Sequence, residues 1–280
     1  MYIRTMKKIV DKSPRPNSGD VSPITVIPCS ALQEKELYLR PEEDVMLRRL
    51  SGLLQEENLK RVKETFGAEG GLTGISALFY GYYLTDLHDA ALQVAKRSGL
   101  TVLEARTSSL RIDSVQEIRQ SIHSFFESYQ AFPEHDRSVL LITDDVDMPP
   151  ALKGGDNLAT KIGIALKQEI SVFPGILFLV TEKKESIPAE LFGTVLYKIG
   201  FSKPDTSTLE KKWVALSGGF LTEYAPYLAH SFSFDTQQML NVFRQVKIDF
   251  ILDGVMPDKE RITAYCLAEL YDNRSNTIGF

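Results

Sequence analysis

Apolar and polar positions along this chain follow two different periods, and their alternation lays out most of the architecture. Short, nearly continuous apolar runs occur at 75–80, 101–105, 139–143, 175–181 and 195–201. Between them lie stretches whose apolar residues recur every three or four positions, the spacing of one helix face. Leu87, Ala90, Ala91, Val94 and Ala95 make the first, and Leu158, Ile162, Leu166 and Ile170 make the last. The clearest spans 114–129, with Val115, Ile118, Ile122, Phe125, Phe126 and Tyr129 on one side. Ser114 and Glu117 stand at capping-box spacing and mark its start. Apolar runs without alternation suit strands buried on both faces. The pattern therefore predicts an α/β fold: a parallel five-stranded sheet covered on both faces by helices.

Beyond Pro204 the strand-like runs stop, and helical spacing predicts four helices over 208–216, 221–229, 235–252 and 257–271. Met239, Val242, Phe243, Val246, Phe250 and Ile251 make the third strongly amphipathic, so a small all-helical lid follows the α/β core. Upstream, Pro41 suits a first helical position, and Leu47, Leu50, Leu53 and Leu54 follow on one side. A second helix carries Leu59, Val62 and Phe66. Pro14, Pro16, Pro23 and Pro28 break up the stretch before that, which reads as a flexible arm. The expected organisation is an arm over 1–30, N-terminal helices over 31–66, a core over 67–205, a lid over 206–272 and a tail over 273–280.

The run at 75–80, the turn after it and the helix beyond form the setting of a phosphate-binding loop, whose pattern is G-x-x-x-x-G-K-[ST]. Counting from Gly81, the second glycine falls at Asp86, the lysine at Leu87 and the hydroxyl residue at His88. Leu84 and Asp86 stand where glycines would let backbone N–H groups curl around phosphates, and Leu87 deletes a cation. Asp86 and Asp89 add carboxylates instead. At ~4 Å, one lost attraction and one gained repulsion together cost roughly 2–8 kcal/mol of anion affinity. The same residues have a structural use, since Thr85 or Asp86 would N-cap the helix and both acids favour its positive end. Tyr82 and Tyr83 read as packing residues in the turn. Asp144, Asp145 and Asp147 follow one strand and Glu182 follows another. They should cluster, with His88 facing them, at the strand ends where open α/β sheets bind ligands. Hard oxygen donors of this kind suit Mg²⁺ or Ca²⁺.

Several strings in this order resemble the AAA+ ATPases, especially bacterial single-domain AAA members. GISALFYG, ending at Gly81, resembles the family's first strand and its approach to the Walker A loop. Val139 to Asp147 resembles Walker B, and Gly175 to Glu182 is similar to the sensor-1 strand. Leu196 to Ile199, with Pro204 and Trp213, is similar to the junction between core and lid, and Phe234 to Leu252 resembles a lid helix. The resemblance covers roughly Glu34 to Leu270. It implies a P-loop NTPase-like fold, ATP and Mg²⁺ as ligands, and assembly with copies of itself or with other protein partners. Carried over by position, it assigns nucleotide contacts to Gly81, Thr85, His88 and Glu182, Walker B roles to Asp144 and Asp145, and metal contacts to Asp144, Asp145 and Asp147.

Each chemical station departs from the family pattern. Leu87 replaces the Walker A lysine, Asp145 the Walker B glutamate and Glu182 the sensor-1 asparagine. Gly193 and Thr194 stand where paired arginines would reach a neighbour's γ-phosphate, and the lid's Gly-Gly falls near Thr236 and Gln237. Ser108 to Ile112 contains no aromatic pore residue. Removing one such group typically costs orders of magnitude in phosphoryl transfer. The expectation is an AAA-fold protein that has lost hydrolysis and acts as a scaffold, regulatory or passive ring subunit. One alternative is a weak or assembly-dependent ATP binder. Another is an interaction module that uses the N-terminal arm and the lid helices.

Composition adds mainly exclusions. A net charge of -5 gives no reason to expect nucleic-acid or anionic-membrane partners. Cys29 and Cys266 have no ligand spacing and form no disulfide framework. The four histidines are scattered, and neither H-E-x-x-H nor G-x-S-x-G occurs. MYIRTMKKIV lacks an apolar signal core and no run reaches membrane-span length, so a cytoplasmic location is expected.

Overall fold

The computed structural model describes residues 24–69, 72–110, 114–144, 158–182, 187 and 189–275. Six strands form one mixed sheet: β1 (Ile24–Ile27), β2 (Ile75–Gly81), β3 (Thr101–Arg106), β4 (Ser138–Asp144), β5 (Ile176–Thr181) and β6 (Tyr197–Phe201). Their spatial order is β1-β3-β4-β5-β2-β6, with β2 to β6 parallel. The five predicted strands are present. The sixth, β1, lies antiparallel on β3, from Ile24 opposite Ala105 to Ile27 opposite Val102. This corrects the strand count and places 24–27 of the expected arm in the sheet, while 1–23 lie outside the described residues. Ile24, Thr25, Val26 and Ile27 sit between Pro23 and Pro28, so the prolines bound a β-branched run and remove none of its N–H groups.

Alternate strand residues feed two apolar layers. Ala77, Phe79, Leu141, Phe178 and Ile199 pack under α1 (Pro41–Leu53) and α3 (Leu84–Arg97). Leu78, Leu103, Leu140, Ile142 and Leu177 pack under α4 (Val115–Gln130) and α5 (Leu158–Ile170). Burial on both faces is why these strands read as unbroken apolar runs. Ser114 caps α4 as its spacing predicts, accepting from the Glu117 N–H at 3.1 Å. The second N-terminal helix is α2 (Glu56–Glu69), and α6 (Ala189–Thr194) precedes β6.

Residues 32–40 run as a strap along α3. Gln93, 2% exposed, donates to the Gln33 carbonyl at 2.8 Å and accepts from the Lys35 N–H at 3.2 Å. A buried amide is thereby satisfied on both sides.

The lid consists of α7 (Thr206–Leu216), α8 (Ala225–Ser231), α9 (Thr236–Asp253) and α10 (Lys259–Ser275), the last running three residues into the expected tail. It has an apolar core of its own, which includes Trp213, Phe234, Met239, Val242, Ile262 and Cys266. Asp235 and Gln238 cap α9 reciprocally, at 2.7 and 3.0 Å. Where β6 passes into the lid, Glu43 accepts from the Ser202 N–H at 2.8 Å, and Arg40 donates to the Lys203 carbonyl at 2.9 Å. No helix among the described residues is long and apolar enough to cross a membrane.

Candidate functional site

The carboxyl ends of β4, β5 and β2 meet the first turn of α3, and the lid's α7 and α9 come down on the same place. Only Tyr82 and Tyr83 separate β2 from α3. The phosphate-loop pattern needs four residues between its glycines. Here the helix has already begun at Leu84, so Asp86, Leu87 and His88 are all helical. Leu87 is 0% exposed and belongs to the core beneath α3. The position counted as the missing lysine therefore points away from the cleft.

The N-cap of α3 is Tyr83, at φ 61°, rather than the expected Thr85 or Asp86. Gly81, at φ +135°, allows the chain to turn at once, which starts the helix earlier than the acids suggested. Tyr83 makes no side-chain cap. The Leu84 N–H instead donates to a carboxylate oxygen of Glu182, at the end of β5. An acid from a neighbouring strand thus occupies the positive end of the helix. Thr85 is exposed on the first turn.

Asp86 turns towards the lid. Its Oδ2 lies 2.6 Å from Lys212 Nζ, and its Oδ1 accepts from the Thr236 hydroxyl. The Lys212 side chain is only 4% exposed. Beside this pair, the Tyr83 hydroxyl lies 2.8 Å from Ser233 Oγ. Burial, with Asp86 nearby, raises the Asp235 carboxyl above its usual range, and burial also raises the Tyr83 phenol. Asp89 is drawn to the strap, where Lys35 Nζ is 2.6 Å away.

The expected acidic cluster divides between the faces of the sheet. His88 Nε2 meets Glu104 Oε1 at 3.1 Å on the α3 side, and Arg106 reaches the same oxygen at 2.9 Å. Asp144 follows Ile142 on the α4 side, where Thr107 and Thr181 donate to it at 3.1 and 3.0 Å. His88 therefore faces Glu104 and not Asp144, because strand alternation places them in opposite layers. Asp145 and Asp147 lie outside the described residues. Among the described residues, no group of three His, Cys, Asp or Glu side chains could hold a metal ion. Gly193 and Thr194 end α6, and Thr236 and Gln237 open α9. Leu110, within the expected pore-loop stretch, packs into the core.

The hydrogen bond from His88, and then the charge of Arg106, hold the Glu104 carboxyl below its ordinary 4.5. A depressed carboxyl stabilises the fold above its unfolded value, and that stability is lost as pH falls through the folded one. Glu104→Gln is expected to flatten stability below pH 4.5 and to cost about 1.5–3 kcal/mol at neutral pH. Urea unfolding from pH 3 to pH 7 measures both effects; an unchanged acid limb would count against the assignment.

Sequence reasoning did not single out Lys212 and Ser233. Lys212 had a signal: it lies on the apolar stripe of α7, three residues from Leu209 and next to Trp213, where a lysine needs a buried partner. Ser233 had none. A cavity of about 670 Å³ lies at the other end of the sheet, near the starts of β2 and β5, away from this cleft. Compared with known proteins, the chain matches no family model, and no curated protein matches it.

Proposed function

We propose that this chain is an AAA-type protein that has exchanged nucleotide chemistry for internal contacts, and that it works through its surfaces as a scaffold, regulatory or passive ring subunit. The reading is supported by a sheet with β2 in its interior, a helical lid after the last strand, and a cleft between them where the family holds ATP. One observation carries it: the first free amide of α3 is taken by Glu182 after a turn of only two residues. A triphosphate entering there would meet Asp86, Asp235 and Glu182. At ~4 Å each such repulsion costs about 1 kcal/mol in water and about 4 at an effective dielectric near 20. The rival reading, ATP binding within an assembly, draws on Lys212 as a cation in the cleft, but Asp86 already neutralises it at 2.6 Å. Action through surfaces is also supported by an exposed apolar stripe on the lid, formed by Ile248, Ile251, Leu252 and Val255.

The test is titration of the full chain with a fluorescent ATP analogue and Mg²⁺ at low and physiological salt. No saturable binding is expected up to about 1 mM, which corresponds to roughly −4 kcal/mol. Saturation at about 10 μM or below, or turnover of ATP by the purified chain, would overturn the proposal.

A further inference from the structure

The apolar clusters of core and lid are separate. Trp213, Phe234 and Met239 anchor one, Phe79, Leu87 and Phe178 the other. At the far end of the cleft the two are joined by polar bonds: Asp86 to Lys212 and Thr236, and Tyr83 to Ser233. All three start from the first turn of α3 or its N-cap. At the near end, Arg40 and Glu43 grip residues 202 and 203 from α1, independently of α3. Such bonds have fixed partners and directions, unlike apolar contact, which tolerates sliding.

We propose that Asp86 is a latch: its carboxylate holds the lid shut over the strand ends, and loss of its charge releases the lid as a folded body about the Arg40–Glu43 grip. Without the Asp86 charge, the buried Lys212 ammonium loses its 2.6 Å partner and keeps only the longer-range attraction of Asp235, a state relieved by exposing it to water. Lid motion meets that need at little cost to the lid, whose own core does not include the latch. The residue at φ 61°, Tyr83, lies at the same joint. Such backbone strain clusters at switch regions. The latch goes beyond the proposed function and stands whether or not the cleft ever accepts a nucleotide.

The full chain carries both reporters needed to test this. Lys212 is buried beside Asp86, and the chain's single tryptophan, Trp213, is 0% exposed in the lid core. Acylation of Lys212 by an N-hydroxysuccinimide ester, followed by peptide mass spectrometry, reads opening. Tryptophan emission reads lid integrity, and small-angle scattering reads overall dimension. Asp86→Asn is expected to label Lys212 roughly tenfold faster, with emission unshifted and the radius of gyration increased. The double variant Ser233→Ala, Thr236→Val keeps the ion pair and is expected to label at an intermediate rate. Unchanged labelling in Asp86→Asn, faster labelling only with red-shifted emission, or faster labelling at an unchanged radius would each overturn the latch. ATP titration plays no part in these readouts, so the latch and the proposed function fail separately.

Discussion

Trp213→Ala is expected to destabilise the lid by about 3–5 kcal/mol, the usual cost of emptying a large aromatic site in a packed core. Trp213 is among the largest fully buried side chains, and its ring meets Phe234 edge-on at 6.3 Å. The apolar cluster it belongs to draws on α7, α8, α9 and α10, so the loss is felt by the lid core as a whole. The indole N–H is buried without a partner. Trp213→Phe removes that orphaned donor along with part of the volume, so it is expected to cost less than about half as much. Hydrogen exchange along α9, together with urea unfolding followed by circular dichroism, separates the two variants. Equal effects would mean that ring volume does not set lid stability.

Gly81→Ala is expected to cost about 3–5 kcal/mol, at the upper end for a single methyl group. At φ +135° an L side chain is strained, and the added Cβ would stand 2.0 Å from the Phe201 carbonyl oxygen. That oxygen is backbone of the paired strand β6 and cannot swing aside as a side chain would. Either β6 peels from β2 or the Tyr82–Tyr83 turn is remade. The midpoint of urea unfolding measures the loss, and a shift worth less than about 1 kcal/mol would show that the strand end yields easily. Gly81 thus has a reason to be glycine that involves no phosphate.

What could be read from the chain follows the range of the interactions involved. Strand runs such as Val139–Leu140–Leu141–Ile142 and the apolar face of α4 are written locally, because burial on one or both sides leaves a period in neighbouring residues. The Ser114–Glu117 cap is written within three positions. The edge strand at Ile24 was hidden because four residues are too few for a period and the flanking prolines suggested coil. The site was hardest. Asp86 meets Lys212 across 126 positions, and Glu182 meets Leu84 across 98. No local pattern records which residue of one element faces which residue of another. Leu87 follows the same rule: a motif counted along the sequence implies a loop longer than the two-residue turn that Gly81 permits.

The brevity of the turn after β2 limits what any substitution could achieve there. Grafting a lysine at position 87 would bury an ammonium in oil rather than present it to an anion, and exchanging Glu182 would free one amide without creating a nest. A phosphate cradle at this place would require inserted backbone, and point substitutions supply none.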